Sequence, residues 1–491
     1  MRNVGRVALV GALSCIASCS SARDRGGLDV RPVFGEPAPF VPAPDLPPGG
    51  RGPAPVVPGP AADVDCADAC RARGLVCVAE GLCAEEASHD SGLPANVGRY
   101  AVAPLGDPSR PDGVVVAYHE YLWSAATEDR SFLHVGVLGA RDGSFEELAR
   151  ERVPPSNWVM FDVAAGGARD DRRVLIAWQE NGVRLGSYPV RGGASRVVQV
   201  STHPIENVLD VVGTPTGGYV ADGEPGDNPA IAPRLYRIDS EGGVLGMLTP
   251  PGWEEGSMLD RVAGATLVAA ADGGVVLAYV RRSIDPVDAS AALEVLRDRN
   301  SLAEVERATL RPSDGSQLTS PYEPVRAWSL DHSGRVLFAL SQPSDEGTRT
   351  RLGLSALHVG AGDSIALGPA LEERPDDIAS VSVQGIDRAV SVTLRVDYSE
   401  DWIGCGPPPL RRADIVVSAL DLGALAPSGD AVLVEGREAA DGEWELYSAP
   451  RVVPLGDGTY GFVVLWLNEG TIRHRRFQIL EPEAPPPSPG S

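Results

Sequence analysis

The chain has 491 residues, 43% of them hydrophobic, a length that suggests two or three domains unless one large all-β unit takes up most of it. A formal charge of −24 makes nucleic acid an unfavoured partner, and the absence of any lysine excludes both a P-loop lysine and a Schiff-base lysine. Gly 56 and Pro 43, with aromatics at only 5%, fit many short strands divided by turns, and no long amphipathic helix is visible.

Residues 1–18 read as an export signal. Arg2 and Arg6 supply its charged start, and Val7 to Ile16 form an apolar core too short to span a bilayer permanently. The segment runs into Ile16-Ala17-Ser18-Cys19, which resembles the lipobox of bacterial lipoproteins, an aliphatic residue and two small ones before the cysteine that receives lipid. Cys15 does not fit, because Ala12 stands three residues before it. The resemblance implies lipidation of Cys19, an extracytoplasmic location and stable anchoring to a bacterial membrane by several acyl chains. Ser20 is compatible with sorting to the outer membrane.

Residues 19–65 carry no periodic apolar pattern, and prolines occupy eleven of the 29 positions from Pro32 to Pro60. Such a linker favours extended polyproline II and would hold a folded unit on the order of 100 Å from a membrane. Residues 66–92 then contain Cys66, Cys70, Cys77 and Cys83, spaced C-x3-C-x6-C-x5-C. In an exported chain this reads as two disulfides stapling a small module. A helical turn after Cys66 would point Cys66 and Cys70 at the later segment. It would favour Cys66–Cys77 with Cys70–Cys83, or the nested alternative. Zinc is the competing reading, weakened by the oxidising compartment and by the lack of paired C-x2-C spacing.

From residue 93 to 482 one pattern recurs. Short apolar runs such as DGGVVLAY (272–279), GVVVAY, RVLIAW, GRVLFAL and YGFVVLW align Ala117, Ala177, Ala221, Ala278, Ala339, Thr393 and Leu465, at intervals of 60, 44, 57, 61, 54 and 72 residues. A strand precedes each run and further strands follow it. The runs are apolar on both faces, so both faces must be covered. Four-stranded units of this length around an axis give an all-β, seven-bladed β-propeller, with the small aligned residue permitting close blade contact. The seventh unit shows three clear strands, and the segment just before Arg99 is expected to supply the fourth. Residues 483–491 form a tail. Over 93–482 the chain is similar to bacterial propeller proteins in general. Ser329-Leu330-Asp331-His332-Ser333-Gly334 resembles the Asp-box of sialidases, but it departs in glycine spacing and lacks the terminal Trp, so sialidase activity is not implied.

Connections between second and third strands share one face of such a ring, and five of them read as long: 119–131, 222–233, 281–292, 341–352 and 396–413. Concentrated insertions suit a binding surface. The candidate face comprises His119, Tyr121 and Trp123; Asp222, Glu224 and Asp227; Arg281 and Arg282; and Tyr398, Trp402 and Cys405. The carboxylates after residue 221 are of the kind calcium takes, but they lack EF-hand spacing, so a solvated acidic loop is favoured and no cofactor or metal is expected. Asp285 and Asp288 stand near Arg281 and Arg282 to neutralise them. Cys405 has no evident mate and reads as an incidental thiol. Trp123 stands where HExxH needs its second histidine, and neither GxSxG nor CxxCH occurs. The leading expectation is a non-enzymatic, lipid-anchored propeller binding a protein or other envelope macromolecule on its long-loop face. The alternative is a glycan-active hydrolase or lyase with carboxylates turned toward the central channel.

Overall fold

The computed structural model describes residues 66–480 except 80, 95–98, 108–109, 123–129, 155–158, 203–206, 224–232, 251–259, 271–272, 284–290, 300, 303–304, 313–325, 330–334, 345–346, 357–363, 372–377, 384–387, 399–409, 439–446 and 457–459. Two units separate by contact, Met1–Val64 with Tyr398–Pro409 and Asp65–Asp397 with Leu410–Ser491, and the second holds the sheets.

Helix α1 (Cys66–Arg71) and strands β1 (Val76–Ala79), β2 (Leu82–Ala84) and β3 (His89–Pro94) come first. Blade one holds β4 (Tyr100–Pro104), β5 (Gly113–Leu122), β6 (Arg130–Gly139) and β7 (Phe145–Val153). Blade two holds β8 (Phe161–Gly166), β9 (Arg173–Gln179), β10 (Val183–Pro189) and β11 (Arg196–Gln199). Blade three holds β12 (Asn207–Thr214), β13 (Gly217–Gly223), β14 (Arg234–Asp239) and β15 (Val244–Leu248). Blade four holds β16 (Asp260–Ala269), β17 (Val275–Ser283), β18 (Ala291–Asp298) and β19 (Val305–Pro312). Blade five holds β20 (Arg326–Ser329), β21 (Arg335–Ser344), β22 (Gly347–Ala356) and β23 (Ser364–Leu371). Blade six holds β24 (Ile378–Val383), β25 (Arg388–Tyr398), β26 (Leu410–Asp421) and β27 (Ala426–Glu438), and blade seven β28 (Tyr447–Pro454), β29 (Gly461–Asn468) and β30 (Thr471–Ile479).

Every blade is an antiparallel meander, and the outer strands of blades four and five also pair in parallel through Arg311↔Ser364 and Pro312↔Ile365. The chain is a seven-bladed β-propeller, as the repeat predicts. Side-chain alternation explains why the runs must be apolar throughout. In β5, Val115 and Ala117 pack with Val163, Ile176 and Trp178 of blade two, while Val114, Val116 and Tyr118 pack with Val463 and Leu465 of blade seven. Each remaining pair of neighbouring blades shares a core of the same kind, so the ring closes. Fully burying one Val or Leu in such a seam contributes about 1.5–3 kcal/mol, before the conformational entropy it costs.

Ala117, Ala177, Ala221, Ala278, Ala339 and Leu465 all face the next blade. In blade six the residue that does so is Val392, which lies in the blade six–seven core, so the alignment through Thr393 is off by one. Ser380 pairs with Val392, which puts Val392 at the position the aligned residue takes in the other blades. The expected long connection at 341–352 is also corrected. Ser341 to Ser344 pair with Gly347 to Thr350, so the hairpin continues almost to its tip. Short turns stand where the sequence suggests them. Glu469 (φ 50) and Gly470 (φ 76) form the two-residue β29–β30 turn with positive φ at both positions.

Blade seven obtains its outer strand from the N-terminal side. β2 pairs with β30 through Cys83↔Gln478, and β3 pairs with it through His89↔His474. Disulfides Cys66–Cys77 and Cys70–Cys83 tie α1 to the β1–β2 hairpin, with Cα separations of 5.7 and 5.4 Å. The four sulfurs are thereby consumed, leaving no thiolate for zinc.

Candidate functional site

The innermost strand of each blade begins at the face where the β5–β6, β13–β14, β17–β18 and β25–β26 connections lie, because strand direction alternates outward from the axis. The residues opposite the small aligned positions are Ala101, Asp162, Asp210, Thr266, Arg326, Ser380 and Arg451. This ring of equivalent positions holds most of the chemistry near the axis, and the spacing of the apolar runs does not point to it.

Three members act alike. Asp162 Oδ2 accepts Val211 N–H at 3.0 Å, Asp210 Oδ2 accepts Leu267 N–H at 2.5 Å, and Ser380 Oγ accepts Val452 N–H at 3.3 Å. In each case the donor follows the equivalent position of the next blade. Thr266 Oγ1 also donates to Asp210 Oδ2 at 3.0 Å. The two carboxylates are neighbours, for Asp210 Oδ1 also accepts the Val211 N–H, at 2.8 Å. The residues keep some exposed surface, but their carboxyl groups lie deep between strands. Burial raises both, and for Asp210 the neighbouring Asp162 charge pushes it further, well above the usual carboxyl range.

Arg451 lies within electrostatic reach of Asp162. Arg99 Nη1 donates to Val159 O at 3.3 Å, across the seam to blade two. Tyr100 Oη donates to Leu465 O at 2.7 Å, and Leu465 is the residue opposite Arg451. Burial and then the Arg451 charge lower the pKa of Arg99.

His119 lies inside β5 and is 1% exposed, with Nε2 hydrogen-bonded to Ser131 Oγ and Nδ1 without a partner. Burial, then Arg99, pulls its pKa down to about 4. Tyr121, also in β5, is partly exposed. Asp222 ends the buried part of β13 at 0% exposure, in place of the Tyr or Trp of blades one, two, four and seven. Its oxygens make no hydrogen bond of good geometry, the Tyr236 hydroxyl, the Arg234 amide and the Ser201 hydroxyl being its polar neighbours, and burial raises it to about 7. Arg281 is ion-paired with Glu294 at 3.7 Å. Arg282 lies in β17 and Tyr398 ends β25. Cys19, Trp123, Glu224, Asp227, Trp402 and Cys405 lie outside the described residues. The described candidates are therefore dispersed over blades one, three, four and six. A shared Asp-Val dipeptide, Asp162-Val163 and Asp210-Val211, on successive inner strands is the sequence signal that marks the axial pair.

No family model matches the chain, and no curated protein sequence matches it. Solved structures do resemble it. A protein of unknown function from Dyadobacter fermentans aligns with TM-score 0.40 and 11% identity, over 81% of this chain and 99% of that one. A subtype N10 neuraminidase-like protein of A/little yellow-shouldered bat/Guatemala/060/2010 aligns with TM-score 0.36 and 9% identity, over 83% and 100%. An α-L-arabinanase of Penicillium chrysogenum, complexed with arabinobiose, aligns with TM-score 0.35 and 9% identity, over 69% and 97%.

Proposed function

We propose that the chain is an extracytoplasmic binding propeller, anchored to a bacterial membrane through lipidated Cys19, that takes a protein or other envelope macromolecule on its long-loop face. One observation carries the choice of binding over hydrolysis. Asp162 and Asp210, the two carboxylates of the axial ring, lie side by side on one donor, both accepting the Val211 N–H at 3.0 and 2.8 Å, and tie blades two, three and four together. Retaining and inverting glycosidases need carboxyl groups about 5–5.5 Å or 6.5–9.5 Å apart. The lipobox, the Pro-rich tether and the disulfides support the location.

Cross-linking in the native envelope followed by isolation of the chain is expected to recover a defined partner. A variant with Val396–Ala413 shortened is expected to lose it, and an unchanged partner set would remove that loop from the binding face. Acyl labelling of wild type but not of Cys19→Ala is expected, and equal labelling would reject the anchor. The competing reading, a glycan-active hydrolase or lyase, draws on the protonated acid Asp210. Release of reducing sugar from envelope glycans by wild type, lost in Asp210→Asn, would establish it in place of binding.

A further inference from the structure

His474 of β30 is fully buried, and neither ring nitrogen has a hydrogen-bond partner among the described residues. In a neutral imidazole one nitrogen is a donor and the other an acceptor, so a ring held this way carries the cost of two unpaired polar atoms. Such a group calls for a ligand. The fold sets a second histidine against it. β3 places His89 directly across from His474, with the ring centres 5.5 Å apart. Two imidazoles on one ion, with metal–nitrogen bonds of about 2.0–2.1 Å, have ring centres roughly 5–6 Å apart, so the pair stands at the separation of a chelate.

His89 is prepared for that task. Its Nε2 lies 3.4 Å from Glu85 Oε2, and that oxygen is fixed by the Arg476 N–H at 3.0 Å. A carboxylate at one ring nitrogen sets the tautomer and leaves the other nitrogen as the lone-pair donor, the support that metal-binding histidines commonly have. The His89 side chain is 51% exposed, so it reorients at little cost and gives an ion its way in. On the other side the β6–β7 turn covers His474, for a Cβ at Gly143 would lie 3.5 Å from its Cε1. Burial, then the His89 charge, lowers the His474 pKa to about 4, so at neutral pH the ring offers a bare nitrogen without losing a proton. No carboxylate of the described residues converges with both rings, which leaves the remaining positions of an ion to water.

We infer that His89 and His474 form a two-histidine site for a divalent late first-row transition ion, of the zinc or copper kind, that bridges β3 to β30. Nitrogen ligands select such ions over calcium and magnesium, which take oxygen. The ion would bind the N-terminal strand to the third strand of blade seven and so strengthen ring closure. In the metal-free chain the bare nitrogens only cost stability. The full mature chain, stripped with a chelator, is titrated with zinc chloride at neutral pH by equilibrium dialysis, and its thermal unfolding is followed with and without zinc. Wild type is expected to hold one more equivalent than His89→Gln or His474→Gln, or to bind that equivalent about tenfold or more tightly. Zinc is expected to raise the unfolding midpoint of wild type more than that of either variant. Glu85→Gln, which keeps both histidines but loses the carboxylate behind His89, is expected to weaken the constant about tenfold. Zinc taken up at other histidines or at Cys405 is common to all the variants and cancels. Equal zinc stoichiometry and affinity in wild type and His89→Gln overturns the site, as does displacement of the zinc by calcium. His89 is exposed, so His89→Gln keeps the test decisive if His474→Gln fails to fold.

Discussion

The carboxylate of Asp162 accepts the backbone N–H of Val211 at 3.0 Å, joining the innermost strands of blades two and three. Asp210 repeats the arrangement one blade further on with Leu267, and both carboxylates accept the Val211 N–H, so they stand side by side. Near the axis the inner strands converge, and backbone groups there have little water to turn to. A side-chain acceptor reaching across the seam satisfies them.

Asp210→Ala removes the acceptor of the Leu267 N–H and the Thr266 hydroxyl and is expected to cost about 1–3 kcal/mol in urea unfolding. The wild type also carries a pH signature. Because the folded Asp210 pKa is raised, its contribution is full below the ordinary carboxyl range and is lost as pH rises through the folded value. Stability measured at about pH 5 and about pH 9 is expected to fall more in wild type than in Asp210→Asn, and parallel profiles would refute the raised Asp210 pKa.

Asp222 is a second raised carboxyl, buried without a good hydrogen bond and pushed to about 7. Its ionisation opposes folding, so stability declines as pH rises from the usual carboxyl range to about 7 and stays lower above it. Asp222→Asn is expected to match wild type near pH 4 and to exceed it by on the order of a few kcal/mol at about pH 8. Equal denaturation midpoints at the higher pH would show that the loop end hydrates the carboxylate.

His474 is 0% exposed, and neither ring nitrogen has a partner. Burial, then His89, lowers it to about 4. Its neutral form is what folds, so its contribution is present above the ordinary histidine range and is lost as pH falls toward about 4. His474→Leu is expected to gain about 1 kcal/mol or more at neutral pH by removing unpaired polar atoms, and to flatten the acid limb of the stability profile. A less stable variant with an unchanged acid limb would mean that the nitrogens bind buried water.

The Cys70–Cys83 bridge secures β2, which covers the outer edge of β30. Replacing both cysteines by serine is expected to cost about 2–4 kcal/mol in thermal or urea unfolding. A chain starting at Arg99 lacks β2 and β3 and is expected to self-associate through the bared β30 edge on size-exclusion chromatography. A chain starting at Asp65 should elute as one folded species of unaltered stability. Aggregation of both would separate solubility from ring closure.

Runs such as Val114–Tyr118 and Val275–Tyr279 announce themselves because both faces are covered, and a strand covered on both faces has no polar position to blur it. That Cys66 and Cys70 both reach the later segment follows from their standing one helical turn apart, while the choice of Cys66–Cys77 with Cys70–Cys83 over the nested pairing came from the structure. Thr393 is misaligned because blade six has no alanine at that position to mark it, and only the pairing Ser380↔Val392 shows which residue takes it. His119 and Asp222 read as loop residues because polarity suggests exposure, whereas β5 and β13 carry both into seams between blades.

The sequence by itself determined the all-β class, the count of blades, the disulfide staple and the lack of lysine chemistry. These depend on local pattern and composition. Only the tertiary structure decided that Asp162 meets Asp210 on the Val211 N–H, that Tyr100 binds the Leu465 carbonyl, and that β2 and β3 both pair with β30. Each of these contacts joins residues of different blades or distant segments, and which positions adjoin across a seam is set by ring closure and register, which a linear spacing does not contain.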